Sequence, residues 1–404
     1  MFGTDDPEQA VRQIISEVRE GGDAALVALT QKIDGVRLTL LEVSKQAIGQ
    51  AYQQVDEESV AALKLAAGRI NAFHLAQKES IWHELAEEGV AQMVRPLQRA
   101  GVYVPGGTAP YPSSLLMAAI PARVAGVSEV IMVTPPKDGG LIPPLVLVAA
   151  DIAGVDRIFA VGGAQAIAAL AYGTETIPGV DKICGPGNVF VMLAKKAVFG
   201  AVGIDALQGP SDVLIVADDK SAPEYCAADL LAQAEHDPLA EAHMVTTSGR
   251  LAAEVNQEVE RQLEGLSRRQ ILTQSLASGV IAVVSSMDEA IELANLYAPE
   301  HLCLMLEDAD AYLDKIVNAG CIVAGRKATV VLGDYVAGPS HALPTGGTSR
   351  FSSPLSIADF MKFINVIKVS EDSLQRLGPA ALIIARAEGL DAHARAVERR
   401  LKGD

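Results

Sequence analysis

Residues 157–198 read RIFAVGGAQAIAALAYGTETIPGVDKICGPGNVFVMLAKKAV, and the order of patterns inside them decides the fold class. Arg157 to Val161 is a short apolar run of strand length, which Gly162 and Gly163 interrupt. Ala164 to Tyr172 follows as an alanine- and leucine-rich helix. Asp181 to Cys184 reads as a second strand, Gly185-Pro186-Gly187 as a turn and Val189 to Val198 as a second helix. Strands and helices that alternate across glycine turns predict a parallel sheet with helices on both faces.

The same alternation extends outward in both directions. Ala100 to Val104 and Glu129 to Thr134 read as strands, with helices at Ser113 to Ala125 and Pro144 to Ala153. A second alternating block has strands at Val213 to Val216, Ala242 to Thr246, Val280 to Val284, Leu302 to Leu306 and Cys321 to Val323. Its helices are Ala222 to Glu235, Leu251 to Leu263 and Met287 to Leu296. Residues 7–78 read as a helical layer, broken at Gly21-Gly22. Beyond Asp334 the chain reads as loop, and helices resume at Leu355 to Asn365, Asp372 to Leu377 and Pro379 to Leu401. The expectation is an α/β protein with two parallel-sheet domains, a helical N-terminal layer and a helical C-terminal tail.

The 404 residues are 50% apolar and 21% charged, the profile of a folded chain large enough for more than one domain. A formal charge of −17 without a run of Lys or Arg argues against a nucleic-acid partner. Apolar stretches such as Ser114 to Val127, which contains Pro121 and Arg123, are interrupted or too short for a bilayer, so no membrane partner is expected. The acidic start Met1 to Asp6 leads straight into a helical pattern and resembles neither a signal nor a transit peptide. Cys184, Cys226, Cys303 and Cys321 are far apart in apolar surroundings, as buried thiols of a reducing compartment are. These points predict a cytoplasmic protein whose metal ligands, if it has any, are nitrogen and oxygen.

Three strand ends are glycine-rich: Pro105-Gly106-Gly107, Gly162-Gly163 and Gly185-Pro186-Gly187. None is a full GxGxxG; each is compatible with a tight turn, and together they suit a dinucleotide or similar anion. In the second block, Asp229 to Pro238 sets Gln233 and His236 one helical turn apart at the end of an apolar helix. With Asp334 and His393 they would make a nitrogen-and-oxygen set for zinc or a similar ion, the bland alternative being solvated polar residues. Glu300-His301 stands where a loop enters an apolar strand, a setting for proton transfer or for structure alone. His74, His83 and His243 read as structural or surface residues.

These segments resemble the histidinol dehydrogenase family over nearly the whole chain. The resemblance rests on 101–107, 162–173, 185–188, Gly209-Pro210-Ser211, Gln233 to His236, Pro299 to Leu302 and Gly333-Asp334-Tyr335. It implies two Rossmann-like sheets of an incomplete dinucleotide fold. It implies an enzyme that uses zinc and NAD to oxidise L-histidinol to L-histidine through L-histidinaldehyde, the last step of histidine biosynthesis. On that resemblance Gln233, His236, Asp334 and His393 bind zinc, and Glu300 and His301 are catalytic. Ser211 and Glu388 join the metal ligands and the Glu300–His301 pair in holding the substrate, and Tyr103, Gln165 and Asn188 contact NAD. The resemblance also implies an intertwined homodimer with shared sites, Glu388 and His393 coming from the partner subunit.

The implied division is a domain of 1–99 plus 211–350 carrying most of the metal site, an NAD domain at 100–210 and a dimerisation segment at 351–404. Departures are a shortened N-terminus, Ser340 where the family has Asn, a shortened 324–333 and a small insertion at 137–144. The competing reading is a related zinc- and NAD-dependent dehydrogenase of another polar alcohol such as a sulfonated diol, and Glu388 with His393 favours histidinol. A metal-dependent hydrolase leaves the glycine turns and Tyr103 unexplained, and a binding protein needs no Glu300–His301 pair.

Overall fold

The computed structural model describes residues 6–81, 85–87, 89–106 and 110–403. Gly107, His83 and the residues before Asp6 lie outside the described residues. The chain divides into one unit of Met1–Lys78 and Leu97–Phe360 and another of Glu79–Pro96 and Met361–Asp404.

The first unit holds two five-stranded parallel sheets. In one, β1 (Arg99–Tyr103), β2 (Glu129–Val133), β3 (Arg157–Phe159), β4 (Lys182–Cys184) and β5 (Gly203–Ile204) lie in the order β3-β2-β1-β4-β5. In the other, β6 (Asp212–Ala217), β7 (Glu241–Thr246), β8 (Val280–Val283), β9 (His301–Met305) and β10 (Cys321–Ala324) lie in the order β8-β7-β6-β9-β10. The two orders are the same, so the second block duplicates the first in topology. Strand order reverses between β1 and β4 and between β6 and β9, the places where such sheets open a crevice. Every residue of β6 and β9 is buried, as expected for central parallel strands whose sequences run continuously apolar.

The break read at Gly21-Gly22 is a kink inside one helix, Pro7–Asp34, where Gly22 has φ 52° and ψ −135°. A Cβ at Gly22 would stand 2.3 Å from an oxygen of Glu175, whose carboxylate accepts from the Asp23 N–H at 2.8 Å. The kink is therefore fastened to the segment after helix Gly163–Tyr172.

The second unit corrects the reading of the C-terminal part. Residues 355–365 are not a helix: Ile357–Phe360 is a single 3-10 turn, and Met361–Ile367 is a strand. Ile357, Phe360, Met361 and Ile364 fall at helical spacing, and that spacing misled. What wins is antiparallel pairing with Val90–Pro96, which itself pairs with Leu85–Glu87. The final helices also divide differently, as Glu371–Ala387, with Pro379 inside it, and Asp391–Lys402, because Gly389 takes φ 73° between them. Asp334, beyond which the chain reads as loop, belongs to the short helix Val330–Tyr335. Helices Lys45–Ala51 and Arg269–Leu276 had no counterpart in the sequence reading.

Candidate active site

Two neighbouring cavities of the first unit adjoin the glycine-rich strand ends. One, of about 510 Å³, lies at the carboxyl ends of β1 and β3 and is lined by Tyr103, Gln165, Asn188 and the N-terminal helix. Gln165 is fully buried, and neither atom of its amide has a hydrogen-bond partner among the described residues. Such a group is costly unless a ligand completes it. The Tyr103 hydroxyl accepts from the Gly163 N–H at 3.2 Å. Asn188 is the N-cap of helix Val189–Val198, and its Oδ1 accepts from the N–H groups of Phe190 and Val191. Its amide NH₂ is left for a ligand.

The turn that carries Asn188 is fixed from below. Gly185 has φ 112°, and a Cβ there would come within 2.1 Å of the Tyr103 carbonyl oxygen, so only glycine fits. Asp205 accepts from the Gly185 N–H at 2.8 Å, and Lys195 donates to the Gly185 carbonyl at 3.1 Å. Lys195 and Asp205 pair with each other, their side chains only 3% and 4% exposed.

The second cavity, of about 380 Å³, shares Pro105, Gly106 and Asn188 with the first and continues to Ser211, His236, Glu300, His301 and Asp334. Here the structure corrects one expectation. Open parallel sheets bind ligands at their carboxyl strand ends, yet Ser211 precedes β6 and His301 begins β9, so these groups sit at the amino edge of the second sheet. That edge faces the carboxyl edge of the first sheet across the shared wall.

Asp212 and Glu300 bracket each other at the start of β6 and β9. The Asp212 N–H donates to Glu300 Oε2 at 2.9 Å, and the Glu300 N–H donates to Asp212 Oδ1 at 2.7 Å. Ser211 Oγ donates to the same Glu300 oxygen at 2.5 Å, and Gln233 Nε2 donates to Ser211 Oγ at 2.5 Å. Burial pushes the Glu300 carboxyl up to about 8 against these hydrogen bonds, and Asp212 up to about 6. His301 Nε2 lies 3.9 Å from Glu300 Oε1 and 3.7 Å from Asp334 Oδ1, while its Nδ1 is buried without a partner among the described residues. Burial, then His341 and His236, lowers the His301 pKa, so the ring is neutral and able to accept a proton.

Burial, with the Asp229 carboxylate behind it, raises Asp334 to about 7. Helix Pro223–Ala234 ends just before His236, whose N–H donates to the Gln233 carbonyl at 3.2 Å and keeps the one-turn spacing. His236 lines the cavity from an exposed position. Gln233, His236 and Asp334 are thus brought to one region. No group of three His, Cys, Asp or Glu suited to a metal occurs among the described residues. This is consistent with the donor types, because Gln233 is an amide and His393 belongs to the other unit. Oxygen and nitrogen donors around a buried carboxylate that nothing positive neutralises do fit a divalent cation.

Glu388 caps helix Glu371–Ala387 and His393 lies in Asp391–Lys402, both exposed in the second unit. Sequence reasoning passed over Asp212, and singled out His341 for its closeness to Asp334 without giving it a role. His341 Nδ1 donates to the Asp334 carbonyl at 2.7 Å, which leaves Nε2 as an acceptor on the cavity wall. The adjacency of Asp212 to Ser211 and the short step from Asp334 to His341 were the available signals. Three of the four thiols are buried, and Cys321 is only partly so.

A parallel-sheet α/β scaffold with a nucleotide-sized cavity opening onto a buried acid–base cluster defines a dehydrogenase-type oxidoreductase. The sequence profile described as histidinol dehydrogenase matches residues 3–401, and the chain belongs to that family. It is 58% identical over 398 residues to the histidinol dehydrogenase of Dehalococcoides mccartyi strain CBDB1, covering 98% of this chain and 91% of the relative. Identity to the Clostridium acetobutylicum histidinol dehydrogenase is 49%, covering 98% and 92%. The crystal structure of histidinol dehydrogenase from Elizabethkingia anophelis superposes with a TM-score of 0.95 at 39% identity, covering 100% of this chain and 94% of that one. Among the described residues no helix is long and apolar enough to cross a membrane.

Proposed function

We propose that this chain oxidises L-histidinol to L-histidine through L-histidinaldehyde with two NAD, the final step of histidine biosynthesis in the cytoplasm. The observation that carries the reading is the shared wall between the two cavities, which sets a nucleotide-sized space beside Glu300 and His301. Gln233, His236, Asp334 and His393 would hold a zinc ion, which would supply a Lewis-acid anchor for the substrate, and bound NAD would supply the hydride acceptor. His301 accepts the alcohol proton, because its neutral ring faces the cavity with both neighbouring carboxylates within 4 Å. Glu300, steadied by Ser211 and the Asp212 N–H and ionised as the pH rises through about 8, takes a proton from the water that hydrates the aldehyde. Ser211 and Glu388 hold the substrate, while Tyr103, Gln165 and Asn188 hold NAD.

Spectrophotometric detection of NADH with histidinol tests the whole assignment, together with loss of turnover on chelation and its return with zinc. Absence of NADH with the zinc-loaded protein would count against it, and turnover of a sulfonated diol instead would favour the rival substrate.

For Glu300→Gln, aldehyde oxidation falls by about a hundredfold or more while alcohol oxidation falls less, because only the second step needs the water's proton removed. Separate assays with histidinol and histidinaldehyde check this, and equal losses remove Glu300 from that role.

The homodimer reading gives Glu388 and His393 to the partner's site. Mixing His393→Ala with His301→Asn and reassembling then restores activity at about one quarter of sites, since half of the dimers are hybrids with one intact site each. A mixture as inactive as its components shows that each protomer is self-contained.

A further inference from the structure

The N-terminal helix ends at Asp34, a side chain with no part in the proton transfers described above. Asp34 lines the 510 Å³ cavity with Tyr103, Gln165 and Asn188. Its Oδ2 is shielded from solvent and has no hydrogen-bond partner among the described residues. Burial raises the Asp34 pKa, the response of a carboxylate without a compensating donor. The Tyr103 phenol lines the same cavity, its pKa pushed up to about 12 mainly by burial and further by the Asp34 charge.

Position selects the part of the ligand that Asp34 meets. Pro105, Gly106 and Asn188 line both cavities, whereas Asp34 lines only the first. Hydride transfer requires the nicotinamide to lie at that shared wall, next to Glu300 and His301. The adenosine half then extends away from it, towards the N-terminal helix. Asp6 and Lys137 also line this cavity, and of its two carboxylates Asp34 is the one with a buried oxygen that has no partner among the described residues, which matches a ribose hydroxyl donor. In complete dinucleotide folds an acidic residue on the sheet does this work. This chain lacks the GxGxxG turn, and the carboxylate comes from a helix end outside the sheet.

We infer that Asp34 is the specificity-determining residue for the dinucleotide: its carboxylate accepts a hydrogen bond from the 2′-hydroxyl of the adenosine ribose and repels a 2′-phosphate. The inference rests on the reading that this cavity holds NAD. Like charges at contact distance in a shielded pocket repel strongly, and an unmet buried acceptor is costly, so both effects favour NAD over NADP.

The test compares NAD, 2′-deoxy-NAD and NADP by calorimetric binding and by turnover, using the zinc-loaded full chain with Asp34, Asp34→Asn or Asp34→Ala. The unsubstituted protein binds NAD about tenfold more tightly than 2′-deoxy-NAD and about a hundredfold more tightly than NADP. Asp34→Ala weakens NAD about tenfold, leaves 2′-deoxy-NAD where it was, and narrows the NAD-to-NADP ratio at least tenfold. Asp34→Asn keeps an acceptor without the charge, so it narrows the ratio while losing less NAD affinity. An unchanged ratio in both variants, or equal binding of NAD and 2′-deoxy-NAD by the unsubstituted protein, overturns the inference. Gln165→Leu separates the two readings. If it weakens NAD while the Asp34 variants keep the ratio, only Asp34's role fails; if neither Gln165→Leu nor the Asp34 variants move NAD affinity, the cavity assignment fails and takes this inference with it.

Discussion

His301→Asn is expected to lower turnover of histidinol by about a thousandfold while zinc content and substrate affinity stay near those of the unsubstituted protein. The ring is the neutral base at the cavity wall, 6% exposed, with Nε2 within 4 Å of two carboxylates. Asn keeps a polar group of smaller size but has no nitrogen that can accept a proton. The loss therefore falls on the chemical step, and kcat drops far more than KM rises. Zinc analysis, histidinol binding and single-turnover NADH formation check the three parts separately. Normal turnover in the variant would remove His301 from the mechanism, and loss of zinc would make it a structural residue of the metal site.

The largest effect on stability is expected away from the chemistry, at Lys195→Met. Lys195 and Asp205 are buried together and hold the two sides of the Gly185 peptide, which carries the turn between the cavities. Removing only the lysine leaves the Asp205 carboxylate buried without its counter-charge, a change that costs about 3–5 kcal/mol. Removing both charges in Lys195→Met/Asp205→Leu recovers part of that loss, because no uncompensated charge remains. Urea unfolding of the three proteins measures it. A single variant as stable as the unsubstituted protein, or a double variant less stable than the single, would mean that the pair is not what fixes this turn. Lost affinity for NAD should accompany the loss of stability, since Asn188 follows directly on the same turn.

Much of the scaffold could be read along the chain. Strands such as Val213 to Val216 and Leu302 to Leu306 are continuous apolar runs because both of their faces are covered, and the acidic pairs Asp218-Asp219 and Glu307-Asp308 mark where they end. The misread stretch 355–365 shows the limit of that reasoning. Its apolar spacing suits a helix, but strand Met361–Ile367 is set by hydrogen bonds to Val90–Pro96, some 270 residues earlier. Local periodicity carries no information about a partner at that distance.

The site divides in the same way. Gln233 with His236, and Glu300 with His301, are legible because each pair is adjacent or one helical turn apart, and family resemblance links them to Asp334. Asp212 was not legible as a site residue, and His341 was legible only as a histidine close to Asp334. Asp212 matters because the starts of β6 and β9 are neighbours, and His341 because its ring reaches back to the Asp334 carbonyl.

By itself the sequence determined most of the elements in the two sheets, the alternation that makes those sheets parallel, and the family, all of which depend on residue type and short spacing. Only the tertiary structure decided which sheet edges meet, that the acid–base pair stands at an amino edge, and which buried groups lack partners. Those outcomes depend on contacts between segments far apart in the chain, where the energy of burial and hydrogen bonding is set by neighbours that local sequence does not name.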